Sequence, residues 1–517
     1  MVGRVKGLLS TSAALFASER SARNVVWNLL GGVSTGAMMF LATPIYVSRL
    51  GLEGYGIVGL WLVLQVMIVL LDMGMGVSIV RAFAGAEPGQ AGDRYRRDLL
   101  RTMEAFYWAI AVALTVAFAL SANWMATHWL ESSALSSADV AEALRLMAIA
   151  LGIQFASVLY ANGLSGLQAH GKMNALQVAG NVLRYGGGIA VLLWRADLGL
   201  FFVTQAVVAA LQMLATRQVA WRMITAPGYP RAHFRLDLVQ PLWRYSAGMA
   251  LSTLAGVSMA NADRIAISAL LPTGELGKYA VAFTAAGMLQ LGVQPFYRTF
   301  FPRFAELIAA GNEKQLRAEY FRSCRLLAAF VIPIGTIAWT FAPELLVAWL
   351  GTHEETVASV FRWLLIGVAC SGLLWLPAAL QQASGWTRLH ASMMAGALVL
   401  GVPVMLWAIR TVGTPGAAAI WILHGVTGIT IELWLMHRRL LVGDLMEWYR
   451  LVLLPPLLLT FPVTALSWWA MPSALGRWLV MLWFAVTCAT AILLTLFVAF
   501  GRNRGDRALT VAESSTN

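Results

Sequence analysis

A chain of 517 residues with 59% hydrophobic and only 12% charged residues is too apolar for a soluble domain and fits a polytopic membrane protein, so its length counts helices. A net charge of +12 does not call for nucleic acid, because membrane proteins collect Lys and Arg in cytoplasmic loops for topological reasons. Cys324, Cys370 and Cys488 lie in or beside apolar runs without paired spacing, and the seven histidines show no ligand pattern, so no disulfide framework, metal site or cofactor is expected.

Residues 1–23 imitate a signal peptide, yet Val2, Val5, Leu9, Ala13 and Phe16 keep helical spacing beside Arg4, Lys6, Glu19, Arg20 and Arg23. That pattern predicts a cytoplasmic amphipathic helix on the inner leaflet. Apolar runs of spanning length follow at 24–48, 55–80, 103–123, 144–167, 173–194, 198–221, 245–271, 277–301, 325–350, 357–381, 389–409, 415–436, 451–470 and 476–500, about fourteen in all. Starting the chain inside puts 28 of the 37 Lys and Arg residues in inner loops, which predicts cytoplasmic termini and an even number of spans. Before span nine, Leu316, Tyr320, Phe321 and Leu326 alternate with Arg317, Glu319, Arg322 and Arg325 in a helical period, suggesting a surface helix.

The sequence repeats internally. LGLEGYGIVG between spans one and two returns as TGELGKYAVA between spans seven and eight, with Tyr55 and Tyr279 in corresponding places. Gln168 to Gly171 after span four and Gln382 to Gly385 after span ten share Gln-Ala-x-Gly. The expected fold is therefore all-α and polytopic: about 14 transmembrane helices, two parallel six-helix repeats around a central cavity, and a C-terminal helix pair. The boundaries are 24–221 for the first half, 222–244 for a cytoplasmic linker, 245–436 for the second half, 449–500 for the extra pair and 501–517 for a cytoplasmic tail.

Five charges set within these spans are singled out: Asp72, Arg184, Asp263, Arg264 and Arg298. At about 3 kcal/mol each, exposing them to lipid would cost on the order of 15 kcal/mol, so they should face protein or a cavity. Arg184 shares a helix face with Asn174, Gln177 and Asn181, and Gln290, Gln294 and Arg298 follow at four-residue steps beside Pro295. The arginines suit a phosphate-bearing cargo, because a guanidinium donates several hydrogen bonds and keeps its charge when desolvated. Asp72 and Asp263 are candidates for ion coupling or for a salt bridge, with Arg264 or Arg298 as the partner of Asp72. Adjacent helical residues point about 100° apart, so Asp263 and Arg264 are poorly placed to satisfy only one another.

The stretch from Pro44 to Arg81, with its LG-x-E-x-YG turn and LLD-x-G-x-G ending, resembles the start of the oligosaccharide-lipid flippases of the multidrug/oligosaccharidyl-lipid/polysaccharide (MOP) exporter superfamily. The likeness runs from about Asn24 to about Arg439. It implies a transporter, not an enzyme, that moves a polyprenyl-pyrophosphate-linked oligosaccharide across a bacterial inner membrane by alternating access. O-antigen, exopolysaccharide or capsule assembly would be its purpose. Membrane lipids, a polysaccharide polymerase and chain-length proteins are the partners it implies. Residues 24–48 hold no charge before Arg49, unlike the first helix of lipid II flippases. A cation-coupled multidrug exporter of the same superfamily is the alternative. A membrane polymerase or glycosyltransferase is the alternative of another class, and it lacks a large outer loop here. No G-x4-GK-[ST] phosphate loop is present, so energy must come from cargo, an ion gradient or the membrane potential.

Overall fold

The computed structural model describes the backbone of residues 2–72, 74–226, 229–239, 256–472 and 475–514, with side chains for 34–68, 72, 74–226, 229–239, 256–472 and 475–499. Among these residues every regular element is helical, and the chain divides into two compact units, Met1–Ser258 and Met259–Asn517. The side chains that would make residues 1–23 amphipathic, the linker residues 240–244 and the start of span seven lie outside the described residues.

In the first unit the helices are α1 (Val2–Leu71), α2 (Met75–Gly85), α3 (Gln90–Trp124), α4 (Ser137–Gly166), α5 (His170–Trp194) and α6 (Leu198–Ile224). Helix α1 is broken at Gly51, whose φ of 70° and ψ of 177° only a residue without Cβ adopts readily. Two residues later Glu53 accepts the Ala134 amide at 2.8 Å and the hydroxyl of Ser132, which ties this break to the loop after α3. Helices α4 and α6 start on side-chain caps: Ser136 accepts from the Asp139 amide at 3.1 Å, and Asp197 accepts from Leu200 at 2.9 Å. After α6 the chain returns along the N-terminal part of α3. There Arg97 donates to Pro230 O at 2.6 Å, and the His233 and Arg235 amides donate to Asp98 and Thr102 at 2.8 and 2.9 Å.

Helix α7 (256–270) leads into the second unit. That unit continues with α8 (Thr273–Ala309), α9 (Glu313–Thr340), α10 (Ala342–Leu350), α11 (Glu355–Leu373), α12 (Trp375–Ala383), α13 (Thr387–Val412), α14 (Ala419–Thr427), α15 (Leu433–His437), α16 (Leu445–Trp448), α17 (Leu454–Ala470) and α18 (Arg477–Ser514). The run expected as span nine is divided at Phe341, and span ten at Leu374. One π-helical turn, Gly428–Glu432, joins α14 to α15. Helices α11 and α14 meet through glycine: a Cβ on Gly367 would stand 2.6 Å from the Trp421 carbonyl carbon, and one on Gly425 2.6 Å from the Cys370 Cβ. Without a hydrophobic drive inside a bilayer, such small residues allow helices to pack closely. The segment before span nine is helical as expected, with Arg317 reaching Asp444 at 2.6 Å.

Ten helices among the described residues are long and apolar enough to cross a membrane. One of these, Ser34–Ile68, contains the break at Gly51 and so holds two of the expected runs. Helices α5 and α8 are long but carry the polar stripes around Arg184 and Gln290, and neither is among the ten.

Candidate functional site

In the first unit α5 presents Arg184 toward α6 and α1. A guanidinium Nη2–H donates to Gln212 Oε1 at 3.2 Å, and the group lies 5.8 Å from the centre of the Trp61 ring. Its buried Nε–H has no hydrogen-bond acceptor, and no carboxylate forms an ion pair with it among the described residues. Gln212 itself packs against Gly180, where a Cβ would come within 2.4 Å of its amide carbon. The rest of the expected polar face does not share one environment. Asn181 donates to Thr35 at 2.6 Å, Asn174 is buried and donates to His170 O at 2.9 Å, and Gln177 is exposed.

Asp72 sits where α1 ends and α2 begins, with Gly74 in the left-handed region at a φ of 76°. One carboxylate oxygen accepts the Tyr107 hydroxyl and the other accepts the Gly76 amide at 2.8 Å. The carboxylate therefore holds the start of α2, where free backbone N–H groups need acceptors. An acid that sequence reasoning passed over, Glu104, gathers four side-chain donors from α3, α4 and α6. It accepts Tyr160 Oη–H at 2.9 Å, Trp221 Nε1–H at 2.9 Å, Arg217 Nε–H at 3.0 Å and an Arg101 N–H at 3.1 Å. It lies at the start of run 103–123, where an apolar flank on only one side hides it from a search for isolated charges.

In the second unit Asp263 and Arg264 form an ion pair at 3.6 Å, and each has further partners. Asp263 is fully buried and accepts Tyr279 Oη–H at 2.6 Å and Trp421 Nε1–H at 2.8 Å. Arg264 donates to Ala260 O and Asn261 Oδ1 at 2.8 and 2.9 Å and stacks 4.0 Å over Phe283. Arg298 and Gln294 on α8 have no hydrogen-bond or ion-pair partner among the described residues. Gln290 makes one long contact to Val368 O at 3.4 Å, while its buried Oε1 accepts nothing.

Gln290 lines a cavity of about 430 Å³ inside this unit, whose wall also includes Tyr297, Ser371, Trp375, Trp421 and His424. The wall is mostly apolar and aromatic. Tyr297 and Trp375 meet edge to face at 5.7 Å, and the Ser371 hydroxyl is buried without a partner. Behind the wall, Glu432 accepts His390 Nδ1–H and Gln381 Nε2–H, each at 3.0 Å. Sequence reasoning missed Glu432 as well, although it is the one acid in run 415–436 and satisfies the criterion that singled out Asp72.

The geometry thus offers an unpaired cation in the first unit and an aromatic-walled cavity in the second, and known proteins give both a context. The curated protein "Succinoglycan biosynthesis transport protein ExoT" of Rhizobium meliloti (strain 1021) is 24% identical over 352 residues, which cover 67% of this chain and 65% of that protein. The lipid II flippase MurJ in an inward closed conformation superposes with a TM-score of 0.73 at 9% identity, covering 92% of this chain and 99% of its own. An inward-facing multidrug resistance MATE transporter of the MOP superfamily superposes with a TM-score of 0.60 at 20% identity, covering 80% and 96%. These neighbours are transporters or flippases, not enzymes, and the two structures carry the fold alone. Residues 21–308, more than half of the chain, match the family described as "Polysaccharide biosynthesis protein", and this multi-pass membrane chain belongs to that family.

Proposed function

We propose that this protein is a secondary transporter that flips a polyprenyl-pyrophosphate-linked oligosaccharide across a bacterial inner membrane for surface polysaccharide assembly. Alternating access is the proposed mechanism, in a fold of about fourteen spans built from two six-helix repeats with a C-terminal pair. Arg184 carries this reading. A guanidinium held among α1, α5 and α6 with one neutral side-chain acceptor and an idle Nε–H retains most of its donor capacity for a ligand. A pyrophosphate matches that fork, being anionic and rich in acceptors. Arg298, partnerless among the described residues, is the second unit's candidate cation for anionic cargo, and Gln177, Asn181, Gln290 and Gln294 are amides of the kind that sugars engage. Arg264 has a smaller part, since Asp263, Asn261 and Ala260 occupy it.

The excess of Lys and Arg in alternate loops supports cytoplasmic termini. Lipids are partners by necessity, and a polymerase with its chain-length proteins would receive the product. A multidrug exporter is the second reading, favoured by the apolar, aromatic wall of the 430 Å³ cavity. The deciding experiment uses purified protein in proteoliposomes. A fluorescent polyprenyl-pyrophosphate oligosaccharide in one leaflet should become accessible to the other, and Arg184→Gln should slow this at least about tenfold, with Arg184→Lys in between. Efflux of an aromatic cation by the wild type, with no flipping of the lipid, would replace this reading by the second.

A further inference from the structure

Glu432 is 1% exposed, on the π-helical turn between α14 and α15. That turn is held by Tyr449, whose hydroxyl donates to Ile429 O at 2.6 Å, and by Gly428, where a Cβ would stand 2.0 Å from a Leu374 methyl. π-Helical turns occur frequently at functional sites because the extra residue re-aims a side chain. Here it aims a carboxylate at His390 and Gln381, each 3.0 Å from Oε1. The second carboxylate oxygen, Oε2, is buried without a partner. No Lys or Arg lies within 4 Å among the described residues, so His390 is its one ion-pair partner there. The elements packed around it also carry His424 on α14, His437 on α15, Glu355, Arg362 and Cys370 on α11, and Arg388 and Arg410 on α13, with the Tyr449 phenol beside the turn; none of the arginines forms an ion pair with Glu432. His390 and His424 both line the 430 Å³ cavity.

We propose that the His390–Glu432 pair is a proton-binding site in the wall of the second unit's cavity, through which transport responds to the proton gradient. With Nδ1–H donating to the carboxylate, the imidazole keeps Nε2 as a free acceptor. A proton from cavity water binds Nε2, and the pair changes from a net charge of −1 to a neutral imidazolium–carboxylate, or equivalently imidazole–carboxylic acid, with no other bond made or broken. An unpaired buried carboxylate is tolerable beside a wet cavity and strongly disfavoured beside a dry one. Protonation therefore favours the closed, dry cavity and deprotonation the open, wet one, which is the differential interaction a coupled equilibrium requires. The inference rests on the transporter reading for its purpose and on this geometry for its site.

Two measurements test it. Infrared difference spectra of purified protein in nanodiscs between acid and alkaline pH should show a buried-carboxyl band, either a carboxylate stretch shifted by the imidazolium or a protonated-carboxyl stretch, that Glu432→Gln removes, that His390→Gln shifts, and that the surface control Glu306→Gln leaves in place. No cargo is needed for this measurement. An unchanged band in Glu432→Gln overturns the site. In proteoliposomes a one-unit pH gradient should speed lipid-linked oligosaccharide flipping several-fold in wild type, and both site variants should lose that response. A wild type that flips without responding, or a Glu432→Gln variant that still responds, overturns the coupling. A band lost in Glu432→Gln with no flipping by wild type keeps the site and removes the cargo reading. Where Glu432→Gln is not recovered as folded protein, the shift in His390→Gln decides.

Discussion

The two units treat their buried charges differently. In the first, Glu104 gathers four donors while Arg184 has one neutral acceptor and an idle N–H. In the second, Arg264 is matched by the charge of Asp263 and donates to two further acceptors, although its Nε–H also lacks a hydrogen-bond acceptor, and the acids Glu344 and Glu432 each keep one unpartnered oxygen. Burial alone thus fails to separate a structural charge from a working one. Charge compensation together with remaining hydrogen-bonding capacity separates them better: Arg264 has Asp263 beside it and Arg184 has no carboxylate partner among the described residues, and an unsatisfied buried group is maintained at a cost of roughly 1 to 3 kcal/mol.

Breaking the saturated acid should have the largest effect. Glu104→Leu strands the Tyr160 hydroxyl, the Trp221 N–H and the Arg217 guanidinium at once. A loss of about 3 to 5 kcal/mol is expected, read as a lower melting temperature in detergent and as poor accumulation in membranes. Glu104→Gln, which keeps one acceptor oxygen, should lose about half as much. If Glu104→Leu melts like wild type, saturation is no guide to structural charges.

A smaller contrast sharpens the same point. Asp263→Asn preserves an acceptor for Tyr279 and Trp421 but removes the charge facing Arg264, and should lower stability by about 2 kcal/mol. Arg184→Gln removes an uncompensated buried cation, so its melting temperature should stay within about 2 °C of wild type or rise, even though flipping falls. Equal destabilisation by both substitutions would assign Arg184 to the scaffold.

Much of this was legible in the residues. Composition specifies a polytopic helical protein, and Asp72, Arg184, Asp263 and Arg264, legible as charges within apolar runs, each have protein partners in the structure. Partners were not legible. Nothing near Asp72 in the chain points to Tyr107, 35 residues away, or from Asp263 to Trp421, 158 away, because such pairs depend on which helices pack together. Glu432 was legible as the one acid in run 415–436, but its facing was not, because it sits on a π-helical turn and a regular 3.6-residue period places it elsewhere. The cavity likewise arises from helices far apart in sequence, and its apolar wall reads as ordinary core.

The repeat supplies the smallest and most local test. Aligning Gln-Ala-x-Gly in the two halves matches Gly171 with Gly385, as though both glycines closed a helix. In the structure Gly385 does so, with a φ of 75°, but in the first unit the left-handed residue is Gln168 at 56°, and Gly171 lies inside α5. Shared letters therefore mark the same turn without sharing its backbone. A side chain at positive φ costs up to about 1 kcal/mol relative to glycine, the amount by which Gly385→Ala should destabilise. No atom lies within 4 Å of the added methyl group, so that loss would be conformational and not steric. Gln168→Gly should move the other way: it relieves a strained φ, offset in part by the freedom glycine gains in the unfolded chain. The net change should be neutral to about 0.5 kcal/mol stabilising, seen as a small rise in melting temperature. Gly171→Ala, at a regular helical position, should stabilise α5 by a similar amount, since glycine inside a helix is about 1 kcal/mol worse than alanine. Destabilisation by Gly171→Ala equal to that of Gly385→Ala would mean that both glycines close their turns, and the two backbones would be equivalent after all.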